Sequence, residues 1–206
     1  MVSADPRPRR RADAERSIAR IVSAARETLS RDPAATVDDI AKTAGVGRMT
    51  LYGHFRTRPE LVEAALVDAL GDGERMLTGL DLGGDAQQAM NQLLASSWLL
   101  VAESAALLTA AQGVLTPGRL RELHDSAADR MEQLIRRGQR QGVFRTDLPL
   151  TWLVNAVHYI LNGAAEETRL GRLNPAESPG IVVATVQAIL AVPTAAGSPQ
   201  QHGIVT

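Results

Sequence analysis

Four polar residues in one short run carry groups that can meet nucleic acid. Arg48 offers a guanidinium fork that fits a guanine edge or a phosphate. Thr50 and Tyr52 bring hydroxyls suited to phosphate oxygens, and His54 brings a ring nitrogen that serves either target. Arg48 and Met49 lead the run and are the candidates for base-edge contact; the others are candidates for positioning on the backbone. A solvated polar helix face has the same make-up, and the pattern alone leaves both readings open.

The run needs a frame, and the stretch Thr36 to Phe55 supplies one. Val37, Ile40, Ala41 and Ala44 fall at i, i+3, i+4 and i+7, one apolar face of a helix. Thr36 precedes that face and Asp39 stands three residues on, the pattern that caps a helix start. Gly45 follows, where a left-handed turn is easiest without a Cβ. Gly47 opens a second helix, Arg48 to Phe55. Val46, Leu51 and Phe55 can face the first helix, which turns Arg48, Met49, Thr50, Tyr52 and His54 outward. A short helix with such an outward set has the make-up of a major-groove reader.

These residues carry a resemblance. Thr36 to Gly47, then Thr50-Leu-Tyr-Gly-His-Phe55, then Glu60-Leu61 resemble the DNA-binding domain of TetR-family transcriptional regulators over about residues 14 to 70. The resemblance implies an all-α protein: a three-helix DNA-binding head, a divergent helical body that binds a small molecule, and a homodimer. It also implies phosphate contacts for Thr36, Thr50, Tyr52, His54 and Arg58. Pro59 departs from the lysine common near that position; Arg58 can supply the cation, and Pro suits a first helical turn.

Composition narrows the class. A chain of 206 residues suits one large or two small domains. No cysteine is present, which excludes disulfides, thiolate catalysis and Cys-based zinc sites. The formal net charge is −1, so the whole chain is no polycation. Its charge is divided: residues 1–60 hold 12 Lys+Arg against 8 Asp+Glu, and the remainder holds 10 against 15. A basic head on an acidic body fits a DNA-binding domain with a separate partner domain, although chance gives the same asymmetry. No apolar run follows the N-terminal arginines, and Leu93 to Ala111 is interrupted by Ser96, Ser97, Glu103 and Ser104, so neither a signal peptide nor a membrane span is expected. The expected location is the cytoplasm.

The chain divides as follows. Residues 1–12 are expected to be a disordered Arg-rich arm, 13–56 the helix-turn-helix head, 57–192 the helical regulatory and dimerisation domain, and 193–206 a disordered tail. Thr57 and Glu60 predict a capping box at the helix that joins head to body. Gly71, Gly73 and Gly79 predict a weakened second half of that helix. The body is expected to hold one helix over 86–102, a shorter one over 104–112, one from Pro117 to about 141, one over 150–170, and one over 181–192.

The enzyme classes find little support. The four histidines form no H-E-x-x-H, and no dinucleotide fingerprint, P-loop or nucleophile elbow is present. No metal and no cofactor is expected. For a small-molecule effector, Trp98, Trp152 and Tyr159 are three of six aromatics, and Asn155, His158 and Asn162 lie at i, i+3 and i+7 of one helix. A mostly apolar cavity with a few polar groups is how such sites are built. Core filling and a solvent-facing polar line remain equally open for these residues, with His124 and Glu103 as weaker candidates.

The helix from Leu150 is apolar on two faces and so needs two partners. Leu153, Val157, Leu161 and Ala164, with Val182, Val186 and Ile189 of the last helix, are the expected dimer interface. The leading expectation is a dimeric, sequence-specific regulator of double-stranded DNA, released from a palindromic operator by an effector. The alternative is a dimeric small-molecule-binding or interaction protein whose head does not read DNA.

Overall fold

The computed structural model describes residues 6–193. Among the described residues the chain forms nine α-helices: α1 (Pro6–Arg31), α2 (Val37–Ala44), α3 (Arg48–His54), α4 (Arg58–Thr78), α5 (Ala86–Gln112), α6 (Pro117–Leu123), α7 (Asp125–Arg140), α8 (Leu150–Arg169) and α9 (Ser178–Leu190). The expected arm is corrected in part: α1 begins at Pro6, where a missing N–H is harmless. Residues 1–5 of that arm, and 194–206 of the expected tail, lie outside the described residues.

Two apolar cores organise the helices. The head core gathers Ile21, Ala25 and Leu29 of α1, Ile40 and Ala41 of α2, Leu51 of α3 and Leu61, Val62, Ala65 and Leu66 of α4. The C-terminal end of α5 joins it through Leu107, Ala110 and Ala111. The body core gathers the rest of α5 with α7, α8 and α9. A boundary at residue 57 therefore runs through the head core, because α4 and α5 each belong to both units.

Helix α4 is continuous despite its glycines. Thr57 caps it by accepting from Glu60 N–H at 3.2 Å. The reciprocal half of the box is displaced by one residue: Glu60 Oε2 accepts from Arg56 N–H at 2.7 Å. Gly73 is buried where α4 crosses α5, and its missing side chain faces Leu100.

Helix α5 is one helix of 27 residues, where two were expected. The hydroxyl of Ser97 donates back to Leu93 O at 2.8 Å, and that of Thr109 to Ala105 O at 3.0 Å. Back-bonded hydroxyls sit inside a helix without ending it. The expected shortfall of apolar length is also corrected: α5 is long and apolar enough to cross a membrane. Its buried side chains nevertheless pack into both cores.

The helix expected from Pro117 to about 141 is divided at His124, whose φ of −103° and ψ of 5° leave the helical region. Its N–H turns to Arg121 O at 3.0 Å, a tighter closure than an α-turn. After α7, Phe144 is buried, bridges to Ala191 and lies against Gly138. Arg145 N–H donates to Leu190 O at 2.8 Å, so this loop ties α7 to the end of α9.

Candidate nucleic-acid interface and ligand cavity

The head is built around the cap of α2. Thr36 Oγ1 accepts from Asp39 N–H at 3.2 Å, and Asp39 Oδ2 accepts from Thr36 N–H at 2.9 Å and from the Thr36 hydroxyl at 2.6 Å. These bonds, the hydroxyl first, hold the Asp39 carboxyl below its usual range. Gly45 closes the helix at φ 64°. Its N–H reaches Lys42 O at 3.1 Å, and that of Val46 reaches Ala41 O at 3.0 Å. This closure satisfies the orphan carbonyls and aims the chain into α3.

Helix α3 then turns one face inward. Leu51 is buried, and Val46 and Phe55 pack against the same core. Arg48, Met49 and Thr50 are exposed, Met49 by 83%. Tyr52 and His54 are half-buried on the same helix. An exposed methionine at the leading end of a short helix has no role in the core. Arg48 has intramolecular company: it pairs with Asp38 and lies over the Tyr52 ring, 5.4 Å from its centre. Exposed pairs of this kind contribute ~0–1 kcal/mol, so a base edge or phosphate can compete for the guanidinium.

Thr36 and Arg58 are placed differently from the rest. The Thr36 hydroxyl is engaged in its cap. Arg58 is half-buried and donates to Ala35 O and, at 3.0 Å, to Pro33 O. It fastens the first turn of α4 to the loop between α1 and α2. Arg26 adds a second fastening by pairing with Asp68 and Asp72 of α4.

The body holds a cavity of about 160 Å³ between α4, α5, α7 and α8. Its walls include Leu70, Leu77, Leu93, Val101, Met131 and Leu161. Of the expected ligand residues, His158 and Asn162 line it. Trp98 is buried in the body core instead. Trp152, Asn155 and Tyr159 are corrected: all three are exposed, Tyr159 by 70%. A helix advances about 100° per residue, which puts Trp152 and Tyr159 nearly opposite Leu153, Val157 and Leu161. Asn155 lies two turns before Asn162, about 10 Å along the axis and away from the cavity.

Among the weaker candidates, His124 lines the cavity and Glu103 is exposed away from it. Sequence reasoning missed Glu74 and Arg130, which also line it. Arg130 Nη1 donates to Glu74 Oε2 at 3.2 Å, and Nη2 donates to Oε1. The partners are 56 residues apart, so no local pattern marks them. Burial pushes the His158 imidazole below its ordinary range, and nearby His124 adds to the effect against the bond to Val154 O. Among the described residues, no cluster of three metal-ligating side chains occurs.

The expected dimer residues are also corrected. Leu153, Val157, Leu161, Val182 and Val186 are buried in the chain's own core, and Ala164 and Ile189 pack against it. They are already covered by the chain itself. The exposed apolar residues lie on the other faces: Trp152 and Tyr159 on α8, Ile181 on α9 and Val192 just beyond it.

A capped hairpin presenting a polar short helix, fastened to a helical body with a cavity, is a helix-turn-helix arrangement. Residues 21–65 match the family model described as bacterial regulatory proteins, tetR family. The match identifies a tetR-family DNA-binding head over these residues, which run from α1 to the first half of α4. No curated protein matches it. Among solved structures, LfrR from Mycobacterium smegmatis in complex with proflavine is 19% identical, with a TM-score of 0.68 over 85% of this chain and 97% of that one. PfmR from Thermus thermophilus is 22% identical, with a TM-score of 0.61 over 82% and 96%. RolR in complex with resorcinol is 20% identical, with a TM-score of 0.58 over 88% and 90%. At these identities the likeness is one of fold.

Proposed function

We propose that this regulator is a repressor that binds a two-fold symmetric operator as a homodimer and is released by a small molecule held in the body cavity. The observation that carries the reading is the course of α4. Its first turn is fastened to the head through Arg58, and its second half walls the cavity through Gly73, Glu74 and Leu77. A ligand that changes how α4 sits against α7 acts on the same rigid element that carries the head.

Within each head, Arg48 and Met49 are assigned to base edges, and Thr50, Tyr52 and His54 to phosphates. Thr36 and Arg58 hold the frame, and any phosphate contact they make is shared with that task. The dimer face is assigned to the outward sides of α8 and α9, centred on Trp152, Tyr159 and Ile181. Two heads in such a dimer meet successive major-groove faces about 34 Å apart, which calls for an approximate palindrome. A DNA operator as partner supports a cytoplasmic location. The complexes of LfrR with proflavine and RolR with resorcinol support a ligand site in a body of this fold.

Release is tested by fluorescence anisotropy on a labelled operator with a ligand found by screening. The ligand must weaken operator binding by some factor, and operator must weaken ligand binding by the same factor. A ligand that binds free and DNA-bound protein equally refutes release.

A further inference from the structure

We propose that the body cavity takes an uncharged, single-ring aromatic molecule that donates a hydroxyl hydrogen to His124 or His158, that is, a phenol. The inference rests on the reading of this cavity as the effector site. Three observations lead to it, concerning size, charge and hydrogen bonding.

The cavity measures about 160 Å³. An apolar cavity of about 150 Å³ accommodates one benzene molecule. The space therefore fits one ring with small substituents and excludes fused rings unless the walls move. Those walls are largely apolar, with leucine the commonest lining residue, which favours an aromatic or alkyl body over a sugar.

The charged groups at the cavity cancel each other. Arg130 and Glu74 are joined by two hydrogen bonds across α7 and α4, and Ser126 Oγ adds a contact to Glu74 Oε2 at 3.4 Å. A carboxylate ligand would have to displace Glu74 from Arg130, and an ammonium ligand would have to displace Arg130 from Glu74. Either exchange trades a two-point ion pair, part-exposed at 20% and 39%, for another of the same kind, so a charge on the ligand gains little. A neutral ligand leaves the pair intact.

The two histidines set the polarity of the remaining contacts. His124 Nδ1 lies 2.7 Å from Leu120 O, and His158 Nδ1 lies 2.9 Å from Val154 O. A carbonyl oxygen only accepts, so Nδ1 carries the hydrogen in both rings. In a neutral imidazole the other nitrogen, Nε2, is then a pure acceptor. Burial keeps His158 in the neutral form near pH 7. The Ser97 hydroxyl is committed to Leu93 O at 2.8 Å, which leaves Ser104 and the Asn162 amide as lining donors that can meet the ligand oxygen but not the histidine nitrogens' need for a hydrogen from the ligand. Both histidines line the cavity, one from the α6–α7 junction and one from α8, so a neutral ring whose Nε2 meets a ligand there calls for a donor. A ligand without a donor leaves that part-buried ring nitrogen without a partner in the filled cavity, which costs affinity.

The test is isothermal titration of the full-length protein without DNA, near pH 7.5. The probes are phenol, anisole, toluene, benzoate and benzylamine. Anisole keeps the oxygen of phenol and removes its hydrogen. Phenol is expected to bind about tenfold or more tighter than anisole and toluene, and tighter than either ion. Of His158→Phe and His124→Phe, the variant that removes the accepting ring should narrow the phenol-to-toluene ratio while toluene binding persists; if neither narrows it, the histidines are not the acceptors. Equal binding of phenol and anisole overturns the proposal on the wild-type protein alone, whatever the variants do. So does tighter binding of benzoate or benzylamine, or no binding by any probe. Operator binding measured on the same preparation separates the two readings. Intact operator binding with no phenol preference defeats this inference alone, whereas phenol preference without any DNA binding defeats the regulator reading alone.

Discussion

Replacing Gly138 by alanine should destabilise the protein, against the rule that alanine improves a helix. Gly138 lies in the last turns of α7, where intrinsic propensity alone favours alanine by about 1 kcal/mol. The structure reverses that sign. A Cβ at Gly138 would stand 2.0 Å from Phe144 Cδ2, 2.5 Å from Cε2 and 2.6 Å from Cγ. Carbon atoms approach to about 3.5–4.0 Å, so the ring must retreat by more than 1 Å. It has little room to do so, because Phe144 is 1% exposed and its backbone N–H is held to Gly138 O at 3.2 Å. Overpacking of this kind costs roughly 1–3 kcal/mol. The net loss should be about 0–2 kcal/mol after the propensity gain, read as a lower urea midpoint at fixed protein concentration. Gly71→Ala is the control. Its Cβ would meet only Arg75 Nη1 at an ordinary 3.6 Å, so it should stabilise by about 0.5–1 kcal/mol. If Gly138→Ala proves as stabilising as Gly71→Ala, the packing of the loop after α7 is wrong as described.

Four further outcomes are expected. Arg48→Ala should relax base preference at one operator position and cost roughly 1–3 kcal/mol there, measured by binding to a set of single-base variants. Tyr52→Ala should weaken binding evenly across the same set. Tyr159→Glu should leave the monomer folded, because the side chain is 70% exposed, and should shift sedimentation from dimer to monomer. Acid should loosen the joint between α1 and α4: the Asp72 carboxyl is held below its usual range, first by its bond to Arg26. A depressed carboxylate contributes stability that is present above its unfolded pKa of about 4 and is lost as pH falls through the lower folded value. Asp72→Asn should therefore flatten the acid limb of a stability-against-pH curve, and an unchanged limb would remove Asp72 from that joint.

The head was legible in the sequence because its signals are local. A cap at Thr36 and Asp39, an apolar face at 3.6-residue spacing and a glycine turn all lie within ten residues, and each has one physical meaning. The body was legible as helices but not as a site. Trp152 and Tyr159 drew attention because aromatics are scarce, yet scarcity does not say which way a side chain faces. Both stripes of α8 are apolar, so composition alone could not tell the self-buried one from the exposed one. The Glu74–Arg130 pair joins helices that meet only in three dimensions. The break at His124 also escaped, since nothing before it spells a helix stop.

The central claim is that the head reads a two-fold symmetric DNA sequence. The most direct measurement is selection of the purified protein on a pool of random duplex DNA, followed by sequencing, at two salt concentrations. The account predicts an enriched approximate palindrome whose half-sites lie about one helical turn apart, with affinity falling steeply as salt rises. Salt-sensitive retention without an enriched motif, or no retention at either salt, would contradict it.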